Sequence, residues 1–170
     1  HADRCFVVYR DQRYTFEETW ARSAALATAL QQRFGVQPGD RVSIVSRNNP
    51  EWMMAFIAIV SIGAVAVPMN AWWTTEELDY GITDSGSRVV IADPERVARL
   101  APIAERHALA IISVGDCAAI PVATVDFEAL QRDYRAAAMP EVEVAPGADA
   151  TIMYTSGSTG HPKGAVSTHR

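Results

Sequence analysis

Residues 49–68, NPEWMMAFIAIVSIGAVAVP, contain two elements of different period in immediate succession. Asn49-Pro50-Glu51 has the makings of a helix start: a capping side chain, a proline where the backbone N–H has no partner to lose, and an acid near the positive end of the helix dipole. The apolar run that follows is broken at Gly63 after about three turns. Ala64-Val65-Ala66-Val67 then reads as a short buried strand that stops at Pro68. No charged residue occurs from Trp52 to Thr75, a length that could span a bilayer. The helix start and the break at Gly63 favour a buried helix feeding a buried strand, and no transmembrane segment is expected.

The same alternation extends in both directions. Upstream, Thr15-Phe16-Glu17-Glu18 fits a capping box, in which the Thr15 hydroxyl and the Glu18 carboxylate each satisfy an orphan amide. Phe16, Trp20, Ala24, Ala27, Leu30 and Phe34 then recur on one helical face, expected to be core, with Gly35 ending the helix. Val42–Val45 is a strand candidate after the turn at Pro38-Gly39-Asp40. Downstream, Thr74-Thr75-Glu76-Glu77 is a second capping box whose helix should close at Gly86. Arg88–Ala92 is a strand, and Asp93-Pro94-Glu95 opens a helix that Pro102 should kink or interrupt. Leu109–Ile112 and Pro121–Val125 complete the set. Short apolar strands alternating with helices, without two-residue hairpin turns, predict an α/β fold: a mostly parallel sheet with flanking helices. The expected organisation is an α/β region over residues 1–134, a connector over 135–149, and a strand–loop–strand segment over 150–170 that opens a further subregion.

Composition narrows the functional classes. The 170 residues carry 15 basic and 20 acidic side chains, a formal charge of −5, with 49% hydrophobic residues. That is a globular composition, and its acidic balance argues against nucleic acid as a partner. Cys5 and Cys117 are far apart and in no metal-like or redox-like spacing, so reduced thiols are expected. No leader is expected, and a cytoplasmic location is expected, with peripheral membrane contact left open. Lys163 is the lone lysine among the 15 basic residues.

That lysine ends the most informative segment. Ala150–Tyr154 reads as a buried strand and runs into Thr155-Ser156-Gly157-Ser158-Thr159-Gly160-His161-Pro162-Lys163-Gly164. Small residues let the backbone approach a ligand, and glycines reach the conformations that turn successive N–H groups inward. The hydroxyls of Thr155, Ser156, Ser158 and Thr159 can donate to phosphate oxygens, and Lys163 adds a mobile point charge. From Thr155 to Arg170 there is no acid. A flexible linker would not follow directly on an apolar strand and end in a stiff Pro-Lys-Gly. A Walker A loop is excluded, because Pro162 stands where its second glycine is needed and Gly164 follows the lysine. Ala165-Val166-Ser167 looks extended, so the loop should lie between two strands. His161 is expected to be an exposed loop residue.

Tyr154 through Gly164, YTSGSTGHPKG, resembles the phosphate-binding motif of the adenylate-forming (AMP-binding) enzymes: acyl-CoA synthetases, peptide-synthetase adenylation domains and luciferases. Gly39–Val42, Asn49–Trp52, Gly63–Pro68, and Glu76–Leu78 through Asp84–Gly86 extend the likeness over most of the chain. They are more similar to fatty-acid and aryl acyl-CoA ligases than to peptide-synthetase domains. The resemblance implies the N-terminal portion of the large synthetase domain, hence an incomplete α/β fold. It implies a ligase that activates a carboxylic acid, expected to be a fatty acid, with ATP and Mg²⁺, and passes it to coenzyme A. Carried over, Thr155, Ser156, Gly157, Ser158, Thr159, Gly160, Pro162, Lys163 and Gly164 would bind the phosphates. Family members are about three times longer, so a fragment inactive alone is expected. No catalytic residue and no metal ligand is assigned; Mg²⁺ and coenzyme A would be held mainly by parts outside this chain. An amino-acid adenylation domain, a non-catalytic nucleotide-binding domain and a homodimer stay open.

Overall fold

The computed structural model describes residues 1–155 and 160–170. Its centre is a seven-stranded sheet in the order β7-β6-β5-β3-β4-β8-β9. The members are β3 (Arg41–Val45), β4 (Val65–Pro68), β5 (Val89–Ala92), β6 (Ala110–Ser113), β7 (Thr124–Asp126), β8 (Asp149–Thr155) and β9 (Lys163–Thr168). All neighbours pair in parallel except β8 and β9. A separate antiparallel hairpin, β1 (Cys5–Tyr9) and β2 (Gln12–Thr15), precedes the sheet. The helices among the described residues are α1 (Phe16–Gln32), α2 (Pro50–Ser61), α3 (Thr75–Ser85), α4 (Pro94–Ala104) and α5 (Phe127–Asp133).

Strand alternation assigns each side chain to one of two cores. Val42, Ile44, Ala66, Val89, Ile91 and Ile112 face α1, α2 and α5. Val45, Val67, Val90, Ala92 and Ile111 face α3 and α4. A sheet buried on both faces favours apolar residues at nearly every position, which explains the Val/Ile/Ala-rich strands, with Ser43 and Ser113 as buried polar exceptions. The helix starts form as their sequences predict. Thr15 and Thr74 each make a reciprocal capping box, with Glu18 and Glu77, and Asn49 and Asp93 cap helices that carry Pro at the first position. Gly86 closes α3 in the left-handed region at φ 67°. α2 has 12 residues, too few to cross a bilayer, and no helix among the described residues is long and apolar enough to do so.

Three expectations need correction, and one element was not foreseen. Phe16 and Trp20 are not core: they are 45% and 52% exposed. The buried face of α1 runs instead through Thr19, Ser23 and Ala24–Leu30. Thr19 and Ser23 tolerate burial because their hydroxyls donate to the carbonyls one turn back, both at 2.8 Å, while the Phe16 ring packs at a tilt against Phe6 of the hairpin. Pro102 does not interrupt α4, since it falls in the last turn and the helix ends at Ala104. The hairpin itself was not signalled, because its turn uses Arg10 at φ 55° in place of glycine. Finally, β8 is buried only at Ala150, and Met153 is 47% exposed. β9 beside it is exposed along its whole length, so β8 gains cover from the β4 side alone, where Ile152 and Tyr154 pack on the α3–α4 core.

Candidate functional site

The strand order creates a crevice. β4 lies on one side of β3 and β5 on the other, and α2 and α3 pack on opposite faces of the sheet. The loops that follow β3 and β4 therefore part at the C-terminal edge, the place where open α/β sheets receive ligands. A cleft of ≈ 600 Å³ opens there, lined among others by Arg47, Asn48, Asn70, Trp72 and Tyr154. A second, of ≈ 750 Å³, shares Asn70, Trp72 and Tyr154 with it and adds Trp73, Glu77, Thr155, Gly160 and Pro162. The Arg47 guanidinium lies over the Trp72 ring at 4.4 Å, and the backbone N–H of Arg47 donates to Asp93 Oδ2 at 2.9 Å.

β8 brings the glycine- and hydroxyl-rich segment to this edge. It runs parallel to β4, with Ala66 opposite Thr151, so its end at Thr155 lies on the same side as the ends of β3 and β4. β9 returns antiparallel, and Thr155 pairs with Lys163. The loop thus joins two strands, as its sequence predicts. Ser156, Gly157, Ser158 and Thr159 lie outside the described residues. Gly160 sits at φ 101°, a conformation that a side chain would strain. Lys163 opens β9 and is exposed. Gly164 is packed so closely that an added Cβ would lie 2.8 Å from Ile152 Cγ2.

The two limbs of the loop rest on α3. The Tyr80 hydroxyl donates to the Pro162 carbonyl at 3.1 Å, and the Tyr80 and His161 rings stack with centroids 4.7 Å apart. Tyr154 donates to Asp84 Oδ2 at 2.7 Å and meets Trp73 edge-on. Burial, and then the Asp84 carboxylate, push the Tyr154 phenol well above its ordinary value, so it stays a neutral donor. His161 is exposed, as expected for a loop residue. Glu77, the acid lining the larger cleft, has its carboxylate engaged by the Thr74 N–H at 2.8 Å.

The donor chemistry fits a polyphosphate: hydroxyls, a glycine in a left-handed conformation and an ammonium, with no acid from Thr155 to Arg170. Among the described residues no three His, Cys, Asp or Glu side chains gather as a metal site. Arg47, Asn70, Trp72, Tyr80 and Asp84 were not read from the sequence. Tyr80 and Asp84, four residues apart on one helix, offered a weak signal; the others offered none.

Residues 1–170 match the AMP-binding enzyme family, and the chain belongs to that family. It is 37% identical over 164 residues to a long-chain-fatty-acid–CoA ligase, FadD13, of Mycobacterium tuberculosis, which covers 94% of this chain and 30% of that protein. It is 36% identical over 155 residues to a feruloyl-CoA synthase of an Amycolatopsis species, covering 91% and 28%. Among solved structures, a benzoate CoA ligase from Burkholderia xenovorans LB400 superposes with a TM-score of 0.84 at 27% identity, over 99% of this chain and 32% of that one. The chain thus spans under a third of the length of these proteins.

Proposed function

We propose that this member of the AMP-binding family is part of an ATP-dependent acid–thiol ligase that activates a carboxylic acid, a fatty acid in the first instance, and passes it to coenzyme A. The observation that carries this is the position of the Thr155–Gly164 segment. It joins β8 and β9 at the C-terminal edge of the sheet, beside the crevice, with the lone lysine at its return. ATP supplies a phosphorus centre to which the carboxylate adds, with pyrophosphate leaving. In this chain Thr155, Ser156, Ser158, Thr159 and the Lys163 ammonium hold the departing phosphates, while Gly157, Gly160, Pro162 and Gly164 shape the loop. Their contribution is electrostatic stabilisation and positioning, without proton transfer. Mg²⁺ would accompany the triphosphate as its counter-ion.

Residues 1–134 then form an α/β region, 135–149 a connector and 150–170 the opening of the next subregion. The enzyme is placed in the cytoplasm, where peripheral membrane contact would serve a fatty-acid substrate, and we include a homodimer, which sedimentation would reveal.

The test is acid-dependent pyrophosphate release by the intact protein with coenzyme A, across fatty acids of graded length, aryl acids and amino acids. Fatty acids should give the highest kcat/KM; a preference for amino acids would overturn the acyl-CoA reading in favour of an adenylation domain. Lys163→Ala should weaken the ATP-dependent step by roughly 1.5–3 kcal/mol, the range for a charge-assisted hydrogen bond. Residues 1–170 alone should form no acyl-adenylate, and pyrophosphate release from them would refute that.

A further inference from the structure

Polar contacts join α3 to both limbs of the loop. α3 already packs on the sheet through Leu78 and Ile82. Its neighbouring face carries Tyr80 and Asp84, one helical turn apart, and both reach segments far away in sequence. Tyr80 takes the returning limb, with its ring stacked on His161 at an interplanar angle of 16° and its hydroxyl on the Pro162 carbonyl. Asp84 takes the entering limb, through the hydroxyl of Tyr154. The Pro162 carbonyl belongs to the peptide that joins Pro162 to Lys163, and a trans peptide is planar, so its hydrogen bond to Tyr80 sets the plane from which Lys163 departs. The helix is itself well fixed, by a capping box at its start and the left-handed Gly86 at its end. Between the two residues, Gly81 lets α3 come close: an added Cβ would lie 2.8 Å from Trp73 Cζ3 and 3.2 Å from Met69 Cε.

We infer that Tyr80 and Asp84 are positioning residues for the phosphate loop, an assignment that rests on the phosphate-binding function proposed above. By fastening Tyr154 and His161–Pro162 to one helix face, they fix where the end of the β8–β9 hairpin sits against α3, its two limbs being already paired at Thr155 and Lys163. Thr155 and Lys163 are thereby presented to a polyphosphate at a set place beside the crevice. Neither α3 residue needs to touch the nucleotide, and the acid substrate should not sense their loss.

The experiment uses the intact protein and compares Tyr80→Phe, Tyr80→Ala, Asp84→Asn, Asp84→Ala and Lys163→Ala. KM for ATP, KM for the acid and kcat for pyrophosphate release are measured, with Tm as the control for folding. Tyr80→Phe keeps the ring stack and loses only the hydroxyl, so it should raise KM for ATP about 2- to 10-fold, the range of one net hydrogen bond. KM for the acid should stay within about 2-fold. Tyr80→Ala should exceed Tyr80→Phe, and Asp84→Asn, which keeps an acceptor for Tyr154, should recover much of what Asp84→Ala loses. If Lys163→Ala raises KM for ATP while Tyr80→Phe and both Asp84 variants leave it unchanged, the positioning role is wrong and the phosphate site stands. Equal rises in both KM values would also overturn the positioning role, since they would show a general loss of structure. If Lys163→Ala leaves ATP untouched, the phosphate-binding function fails, and the positioning role with it. Should Tyr80→Ala not fold, Tyr80→Phe and Asp84→Asn decide the matter.

Discussion

Replacing Asp93 by Asn should destabilise the protein far more than the loss of one helix cap. Asp93 caps α4 by accepting from the Arg96 N–H at 3.2 Å, and its carboxylate also takes the Arg96 side chain, with Nη1 3.2 and 3.3 Å from its two oxygens. Arg96 is only 2% exposed, and its Nη2 is buried with no hydrogen-bond partner among the described residues. Asn caps a helix about as well as Asp does, so Asp93→Asn keeps the cap on the Arg96 N–H but removes the charge, together with the oxygen that accepts from the Arg47 N–H. Stranding a buried cation costs about 3–5 kcal/mol. Glu95 remains 3.0 Å from Nη1, although it is itself half-exposed. That retained partner places the expected loss near the bottom of the range, about 3 kcal/mol, a large share of the 5–15 kcal/mol typical of a domain. Asp93→Ala should lose about 1 kcal/mol more, for the cap. Arg96→Met removes the cation and its orphaned Nη2 together, so the double variant Asp93→Asn/Arg96→Met should be more stable than Asp93→Asn alone. Urea unfolding followed by tryptophan fluorescence, with midpoints compared at constant slope, measures each variant. If Asp93→Asn falls within about 0.5 kcal/mol of the parent, or the two substitutions are simply additive, Arg96 does not depend on the Asp93 charge and the reasoning is refuted.

Two other substitutions test separate parts of the structure. Gly86→Ala forces an L side chain to φ 67° and should cost about 1–2 kcal/mol, read from the same urea midpoints; a neutral effect would mean that α3 can end differently. Asp79 has its pKa lowered from 3.8, first by its hydrogen bond to His107, with Arg106 adding to the effect. A depressed folded value means that Asp79 contributes stability above the unfolded value, and that this is lost as pH falls through the folded one. The midpoint gap between the parent and Asp79→Asn should therefore be full at about pH 5 and close below about pH 4. A gap independent of pH would exclude that linkage.

Features fixed by neighbouring residues were legible in the sequence. The Thr15 and Thr74 capping boxes, the Asn49-Pro50 and Asp93-Pro94 starts and the αL glycine at 86 each need only a few adjacent side chains, so pattern and structure agree. The α1 stripe misled because periodicity rewards large apolar residues. Its buried face is made of Ala, Leu, the back-bonded hydroxyls of Thr19 and Ser23, and Thr28, while Phe16 and Trp20 stay exposed near its N-terminal end. The strand–loop–strand path of residues 150–168 was readable from composition alone. The residues around it were not. Arg47 and Trp72 meet only because β3 and β4 are neighbours, and Tyr154 reaches them only because β8 joins the far side of β4, with three strands that lie between them in sequence placed elsewhere in the sheet. No local pattern in residues 46–72 encodes where residue 149 will pair.

The pairing of β8 with β4 also explains why α3 can serve the loop. α3 starts at Thr75, just after the C-terminal end of β4, and runs back along the sheet, so successive turns lie progressively farther from the C-terminal edge. β8 runs towards that edge beside β4, and β9 leaves it. Residues nearest the turn should then meet the early part of α3, and residues deeper in the strand a later turn. The contacts follow this order: His161 and Pro162, next to the turn, meet Tyr80, and Tyr154, within β8, meets Asp84 one turn on. Four residues of helix advance about 6 Å, close to two residues of strand. The i, i+4 spacing of Tyr80 and Asp84 is therefore what an antiparallel pair of strands requires if one helix is to hold both its limbs. A single insertion in α3 between them would rotate one of the two away from the hairpin and release that limb.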